Sequence, residues 1–153
     1  MKQVNIYLET SFKGLKKQDG AIGYVIEYIT AKGPATYNKI TEIQNATPNF
    51  AELFALTEAM GHLSFPVEIK IFTDSMYLKQ GIEAWMEIWE KNNWQNAKGK
   101  EVANRTDWEL LKEQLKPHIY SIELGIEHGY KKWLKMEIET KLKEVNHGKR
   151  SGM

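Results

Sequence analysis

The chain has 153 residues, the size of one domain, and is long enough to bury a core. Its 21 basic and 20 acidic residues leave a net charge of +1, so bulk charge singles out no partner and only local charge can. The lack of cysteine excludes disulfides, thiolate metal sites and cysteine nucleophiles, and no apolar run approaches the ~20 residues of a membrane span. Val4 to Leu8 reads as a short strand ending at Glu9, followed by a polar loop over residues 10–18 with Gly14 and several lysines. Ala21 to Ile29 is rich in β-branched and aromatic residues and reads as a second strand. A turn at Lys32-Gly33-Pro34 leads to a third strand, Ala35 to Ile43. Short connections between three strands predict an antiparallel meander.

The period then changes. Thr47-Pro48 has the form of a helix cap followed by proline in the first turn. Leu53, Leu56, Met60 and Leu63 recur at three- and four-residue steps, which predicts an amphipathic helix ending at Phe65-Pro66. Val67 to Phe72 alternates as a fourth strand. Asp74-Ser75 opens a helix to about Ala84, which continues through the tryptophan-rich stretch to Trp94, with Asp74 a possible cap. Thr106 and Glu109 have capping-box spacing at the start of a further helix that Lys116-Pro117 ends. His118 to Leu124 is the fifth strand, and Lys131 to Val145 a last helix with Leu134, Ile138, Leu142 and Val145 on one face. The expected architecture is α/β: a five-stranded mixed sheet, three strands antiparallel and then two parallel, flanked by helices. A single domain covers 1–146 and a flexible tail 147–153. A soluble, cytoplasmic, monomeric protein is expected.

Three acids carry the chemistry. Glu9 and Asp74 follow the C-terminal ends of strands, the edge where open α/β sheets place ligands, and Glu52 lies early in a helix able to face the same edge. Clustered carboxylates repel one another unless a cation fills the site. A hard ion such as Mg²⁺ takes oxygen ligands, and paired metals suit phosphodiester hydrolysis. Asp74 can also act as a simple cap, and Glu9 and Glu52 as solvated acids.

The surrounding residues resemble type-1 ribonuclease H. Val4-Asn5-Ile6-Tyr7-Leu8-Glu9-Thr10-Ser11 resembles the family's first strand, and Gly20-Ala21-Ile22-Gly23-Tyr24 its glycine-rich second strand. Thr47-Pro48-Asn49-Phe50-Ala51-Glu52-Leu53 resembles its Thr-x-Asn-x-x-Glu-Leu helix start. Ile71-Phe72-Thr73-Asp74-Ser75-Met76-Tyr77-Leu78 is similar to its Thr-Asp-Ser-x-Tyr segment. Lys79-Gln80-Gly81-Ile82 with Trp85, Trp89 and Trp94 follows its helical handle, and Asn104 and Trp108 match beyond it.

The resemblance implies an RNase H-like fold and endonucleolytic hydrolysis of the RNA strand of RNA/DNA hybrids by water activated on Mg²⁺ or Mn²⁺, two ions with substrate bound. The implied catalytic and metal-binding acids are Glu9, Glu52, Asp74 and, in the last helix, Glu139, with Glu137 as the alternative. His128 matches the loop histidine that assists protonation or product release. Ser11, Thr47, Asn49, Ser75, Trp85 and Asn104 are the implied contacts to the hybrid, whose 2′-hydroxyls suit short polar side chains. Two departures stand out. The family's first acid is Asp, and Glu9 carries its carboxylate ~1.5 Å further out, where a 1 Å error can cost ~100-fold. The family's basic handle is here balanced by Glu83, Glu87, Glu90 and Glu101, so non-specific affinity is expected to be weaker or to rely on other lysines such as Lys13, Lys16 and Lys17. The alternative reading is a catalytically impaired module that binds hybrid, or a protein partner, without turnover.

Overall fold

The computed structural model describes residues 1–151. Its centre is β1 (Gln3–Thr10), paired antiparallel to β2 (Gln18–Thr30) on one side and parallel to β4 (Glu68–Thr73) on the other. β3 (Gly33–Ala46) extends the sheet beyond β2 and β5 (Ile119–Leu124) beyond β4, giving the order β3-β2-β1-β4-β5. This is the expected mixed sheet, three strands antiparallel and two parallel. β3 runs longer at both ends than its apolar pattern suggests, because it is the outer arm of a hairpin whose register with β2 is kept from Gly33 to Ala46 through one bulge near Gln18.

The sheet is covered on both faces, and the two-residue period of β1 explains how. Val4, Ile6 and Leu8 enter the larger core with Ile22, Tyr24, Ile26, Ile69 and Ile71. That core is closed by α1 (Pro48–Met60) and α4 (Arg105–Leu115) through Leu53, Leu56, Trp108, Leu111 and Leu115. Tyr7 points the opposite way, into a smaller cluster with Val25 and Leu134 of α5 (Lys131–Ser151), flanked by Ile40, Phe72 and Tyr130. Thr47 caps α1 as expected: its hydroxyl accepts the Phe50 N–H at 3.1 Å, and Pro48 occupies the first turn.

Four helix boundaries differ from expectation, the first being the end of α1 at Met60 rather than at Phe65-Pro66. Ser75, not Asp74, caps the helix after β4, its Oγ accepting the Leu78 N–H at 3.1 Å, so the Asp74 carboxylate is left for other contacts. The capping box at Thr106 does not form. Asn104, at φ 61°, precedes Arg105 without a side-chain cap bond, and Glu109 pairs with Arg105 instead. α5 continues to Ser151, past the expected end at Val145, because a single Gly148 without proline weakens a helix but does not stop it. The tail expected over 147–153 is therefore helical as far as Ser151, and residues 152–153 lie outside the described residues.

The predicted continuous helix after Asp74 is also broken. α2 (Met76–Gln80) and α3 (Met86–Lys91) are joined by a π-helical turn, Gly81–Trp85, in which the Met86 N–H reaches the Gly81 carbonyl. Gly81 lies flat on Trp108, where an added Cβ would stand 2.1 Å from Cη2 of the ring. Trp108 is fully buried, and its indole N–H donates to the Tyr77 hydroxyl at 2.8 Å, so the ring has nowhere to move. Gly81→Ala is expected to cost about 2–3 kcal/mol by overpacking, whereas Gly129→Ala, with no atom near the new methyl group, should stay within ~0.5 kcal/mol of wild type. Urea denaturation of both variants checks this, and equal stabilities would show that the contact does not constrain the fold.

Candidate active site

Glu9, Glu52, Asp74 and Glu139 line one cleft of about 480 Å³ at the C-terminal edge of β1 and β4. Parallel pairing of β1 with β4 brings the ends of these strands side by side, and α1 starts beneath them. Ser11, Lys13 and Lys135 also line the cleft. Glu137 is not among the lining residues. α5 presents Lys131, Lys135 and Glu139 at successive four-residue steps, which places them along one stripe.

The acids are held in different ways. Glu9 is 9% exposed, and its Oε2 has no hydrogen-bond partner within the protein. Burial raises its pKa, with the Asp74 charge adding to this and Lys131 and Lys135 opposing it. Glu52 accepts a long hydrogen bond from the Thr10 hydroxyl, 3.4 Å. Burial, with the Glu9 charge behind it, pushes the Glu52 pKa up to about 7. Asp74 meets the Lys131 ammonium at 2.5 Å, and the Lys131 side chain is only 15% exposed. Burial of that ammonium works to lower its pKa, but the Asp74 hydrogen bond and the charges of Asp74 and Glu9 prevail and hold it above the usual lysine value.

His128 stands beside the cleft rather than among its lining residues. Its ring packs on Tyr7 with centroids 4.4 Å apart and lies 5.8 Å from Phe72. Its Nδ1 accepts the Tyr130 N–H at 3.1 Å. The next turn is anchored further: Tyr130 donates its hydroxyl to Glu27 Oε2 at 2.7 Å, while Asn5 and Tyr7 donate to Glu27 Oε1. Burial lowers the His128 pKa, and Lys131 lowers it further against the pull of Asp74 and Glu127.

The remaining expected contacts divide. Asn49 is exposed and Thr47 partly so at the start of α1, and Trp85 is 47% exposed. Ser11 is partly exposed, and its Oγ accepts the Ala21 N–H at 2.9 Å. Ser75 is 9% exposed, and its Oγ accepts the Leu78 N–H of the helix cap. Asn104 donates to the Tyr77 hydroxyl at 3.2 Å, which ties it to the Trp108 packing. Lys131, Lys135 and the Glu27 network were absent from the sequence reading. The four-residue spacing of Lys131, Lys135 and Glu139 was the available signal, hidden by a helix dense in charge.

The donor set is all oxygen and suits a hard cation in kind. Its arrangement does not fit a two-ion centre: among the described residues no three His, Asp or Glu side chains converge closely enough to hold a metal. Asp74 is already paired with an ammonium group. Nor is any described helix long and apolar enough to cross a membrane.

A mixed sheet with acids gathered at the ends of its central strands is the architecture of RNase H-like nucleases. A model of the RNase H family matches residues 1–125. Ribonuclease H of Actinobacillus pleuropneumoniae is 34% identical over 118 residues, spanning 77% of this chain and 74% of the relative. Ribonuclease H of Clostridium botulinum is 35% identical over 121 residues, spanning 77% and 78%. Among solved structures, LC9-RNase H1, a type 1 RNase H with the type 2 active-site motif, aligns with a TM-score of 0.73 at 20% identity, covering 92% of this chain and 72% of that one. The chain belongs to the RNase H family. The matched region stops short of α5, so the helix carrying Lys131 and Glu139 lies beyond it.

The raised Glu52 pKa has a measurable consequence in metal-free protein. Between the ordinary carboxylate value of 4.5 and about 7, native Glu52 keeps a proton that the unfolded chain releases. Stability therefore falls as pH rises through that window, by at most about 3 kcal/mol. His128, with its lowered pKa, acts in the opposite sense over part of the same range, so the Glu52 contribution is read as a difference. In EDTA, Glu52→Gln should lose less stability than wild type between pH 5 and pH 7.5 in urea melts. Parallel curves for the two proteins would refute the assignment.

Proposed function

We propose that this protein is an RNase H-family module that engages RNA/DNA hybrid while turning it over poorly or not at all. The observation carrying this reading is the Lys131 ammonium on Asp74 in an acid cleft where no three potential ligands converge. Glu9 adds to it, since its longer side chain stands where the resemblance implies Asp. Support for a hybrid as partner comes from family membership and from the likeness in fold to LC11-RNase H1, a relative solved in complex with RNA/DNA hybrid, at TM-score 0.57 and 15% identity. Exposed Asn49, partly exposed Thr47 and Ser11, and Trp85 are the groups proposed to meet it. Lys13 at the cleft, with Lys16 and Lys17 in the same loop, supplies charge for the backbone. The module is proposed to act as a cytoplasmic monomer.

A second reading, endonucleolytic hydrolysis of the RNA strand with Mg²⁺ or Mn²⁺, is favoured by one observation. Glu9, Glu52, Asp74 and Glu139 share a single cleft, with the Glu9 Oε2 unpaired. The two readings part in one experiment. Fluorescence anisotropy should detect binding of a labelled hybrid in preference to duplex DNA, weakening as salt rises. A gel assay should show the RNA strand intact, or cut at least ~100-fold more slowly than by an active family member. Cleavage at an ordinary family rate, abolished in Asp74→Asn, would establish the hydrolytic reading instead. Absence of hybrid binding would remove both.

A further inference from the structure

An ammonium group stands beside the acid cleft, against one of the acids that line it. Lys131 is the first residue of α5, with Nζ 2.5 Å from Asp74 Oδ2 and a side chain that is largely buried. Its backbone is anchored on both sides along the chain. On the N-terminal side, the Lys131 N–H bonds the His128 carbonyl at 3.3 Å, and Tyr130 is hooked to Glu27 on β2. On the C-terminal side, Leu134 is fully buried against the sheet. One helical turn on, Lys135 lines the same cleft, and both lysines act electrostatically on Glu9.

We propose that Lys131 is a resident cation that takes the place of a divalent ion beside Asp74, so that this site is neutralised by its own chain and excludes a second metal. The proposal rests on the reading of the protein as a family member with impaired turnover, and identifies the group responsible. A lysine ammonium is compact, carries one positive charge and offers three donors to surrounding carboxylates. It cannot share the same few ångströms with a divalent ion, because unit charges at that separation interact strongly in a partly buried site. Mg²⁺ would also need near-octahedral oxygen coordination, and one Asp74 oxygen, Oδ2, is already taken. Lys131 lies in the helix beyond the region that matches the family model.

The test measures metal binding directly. Mn²⁺ is titrated by calorimetry and by electron paramagnetic resonance into wild type, Lys131→Gln and Lys131→Met, with thermal melts recorded for each. Wild type should bind Mn²⁺ weakly and at no more than one site, and both variants should bind it at least ~10-fold more tightly. Equal affinities in wild type and variants, or two tight ions in wild type, would overturn the proposal. A second measurement needs wild type alone, so it holds even where the variants fail to fold. Acetic anhydride labelling read by mass spectrometry should modify Lys131 several-fold more slowly than the exposed Lys70. Equal rates would show that Asp74 does not hold the ammonium. Hybrid binding in EDTA is followed in parallel: its absence removes the proposed function but leaves the metal comparison standing, while unchanged Mn²⁺ affinity removes only the role of Lys131.

Discussion

Everything in this fold depends on β1 being paired along both edges and packed on both faces. An interior strand of this kind has no free backbone donors to solvate, and its side chains must serve two cores in strict alternation. Val4, Ile6 and Leu8 serve one core and Tyr7 the other. The alternation ends at Glu9, where the strand leaves the apolar layer with its carboxylate still largely enclosed. Parallel pairing with β4 then fixes Asp74 beside it. The acids meet because of backbone register, before any attraction between them and any cation is considered.

Their meeting is electrostatically unfavourable, and the chain has dealt with it locally. Glu52 is driven toward its protonated form, Glu9 is opposed by burial, and Asp74 is paired. Two lysines from α5 supply opposite charge beside these acids. The same helix that closes the small core with Leu134 thus brings compensating charge to the cleft. Tyr7 links these tasks: it packs between Phe72, His128 and Tyr130 and donates to Glu27, so the smaller core, the histidine turn and the start of α5 are parts of one cluster.

Sequence revealed what depends on local pattern. Five strands, the Thr47 cap and the mixed sheet followed from periodicity and turn chemistry, and the resemblance placed Glu9, Glu52 and Asp74 at one edge. What it hid depends on contacts between distant residues. The π-helical turn arises from the approach of Gly81 to Trp108, which no local propensity reports. Ser75 and Asn104 also make contacts that local pattern does not report, with the Leu78 N–H and the Tyr77 hydroxyl. The role of Lys131 was hidden for another reason. Lysine at the start of a charged helix is ordinarily solvated, whereas this one pairs with Asp74 and leaves its side chain only 15% exposed. Glu139 and Glu137 differ by two positions and nothing else in composition, so only the helix phase separates the one that reaches the cleft.

The π-helical turn bears on the outer surface as well. Its wider turn brings Met86 rather than Trp85 into line with buried Leu78 and Ile82, and so rotates Trp85 outward. Trp85 lies nearly parallel to Trp89, with ring centroids 6.4 Å apart, and the pair forms a ledge along the handle. Such a turn amounts to one extra residue inserted into an α-helix. The ledge is therefore a product of backbone register rather than of tryptophan content. A single-codon insertion or deletion in this stretch would raise or remove it without altering either aromatic ring, which makes it open to evolution by change in length as well as by substitution.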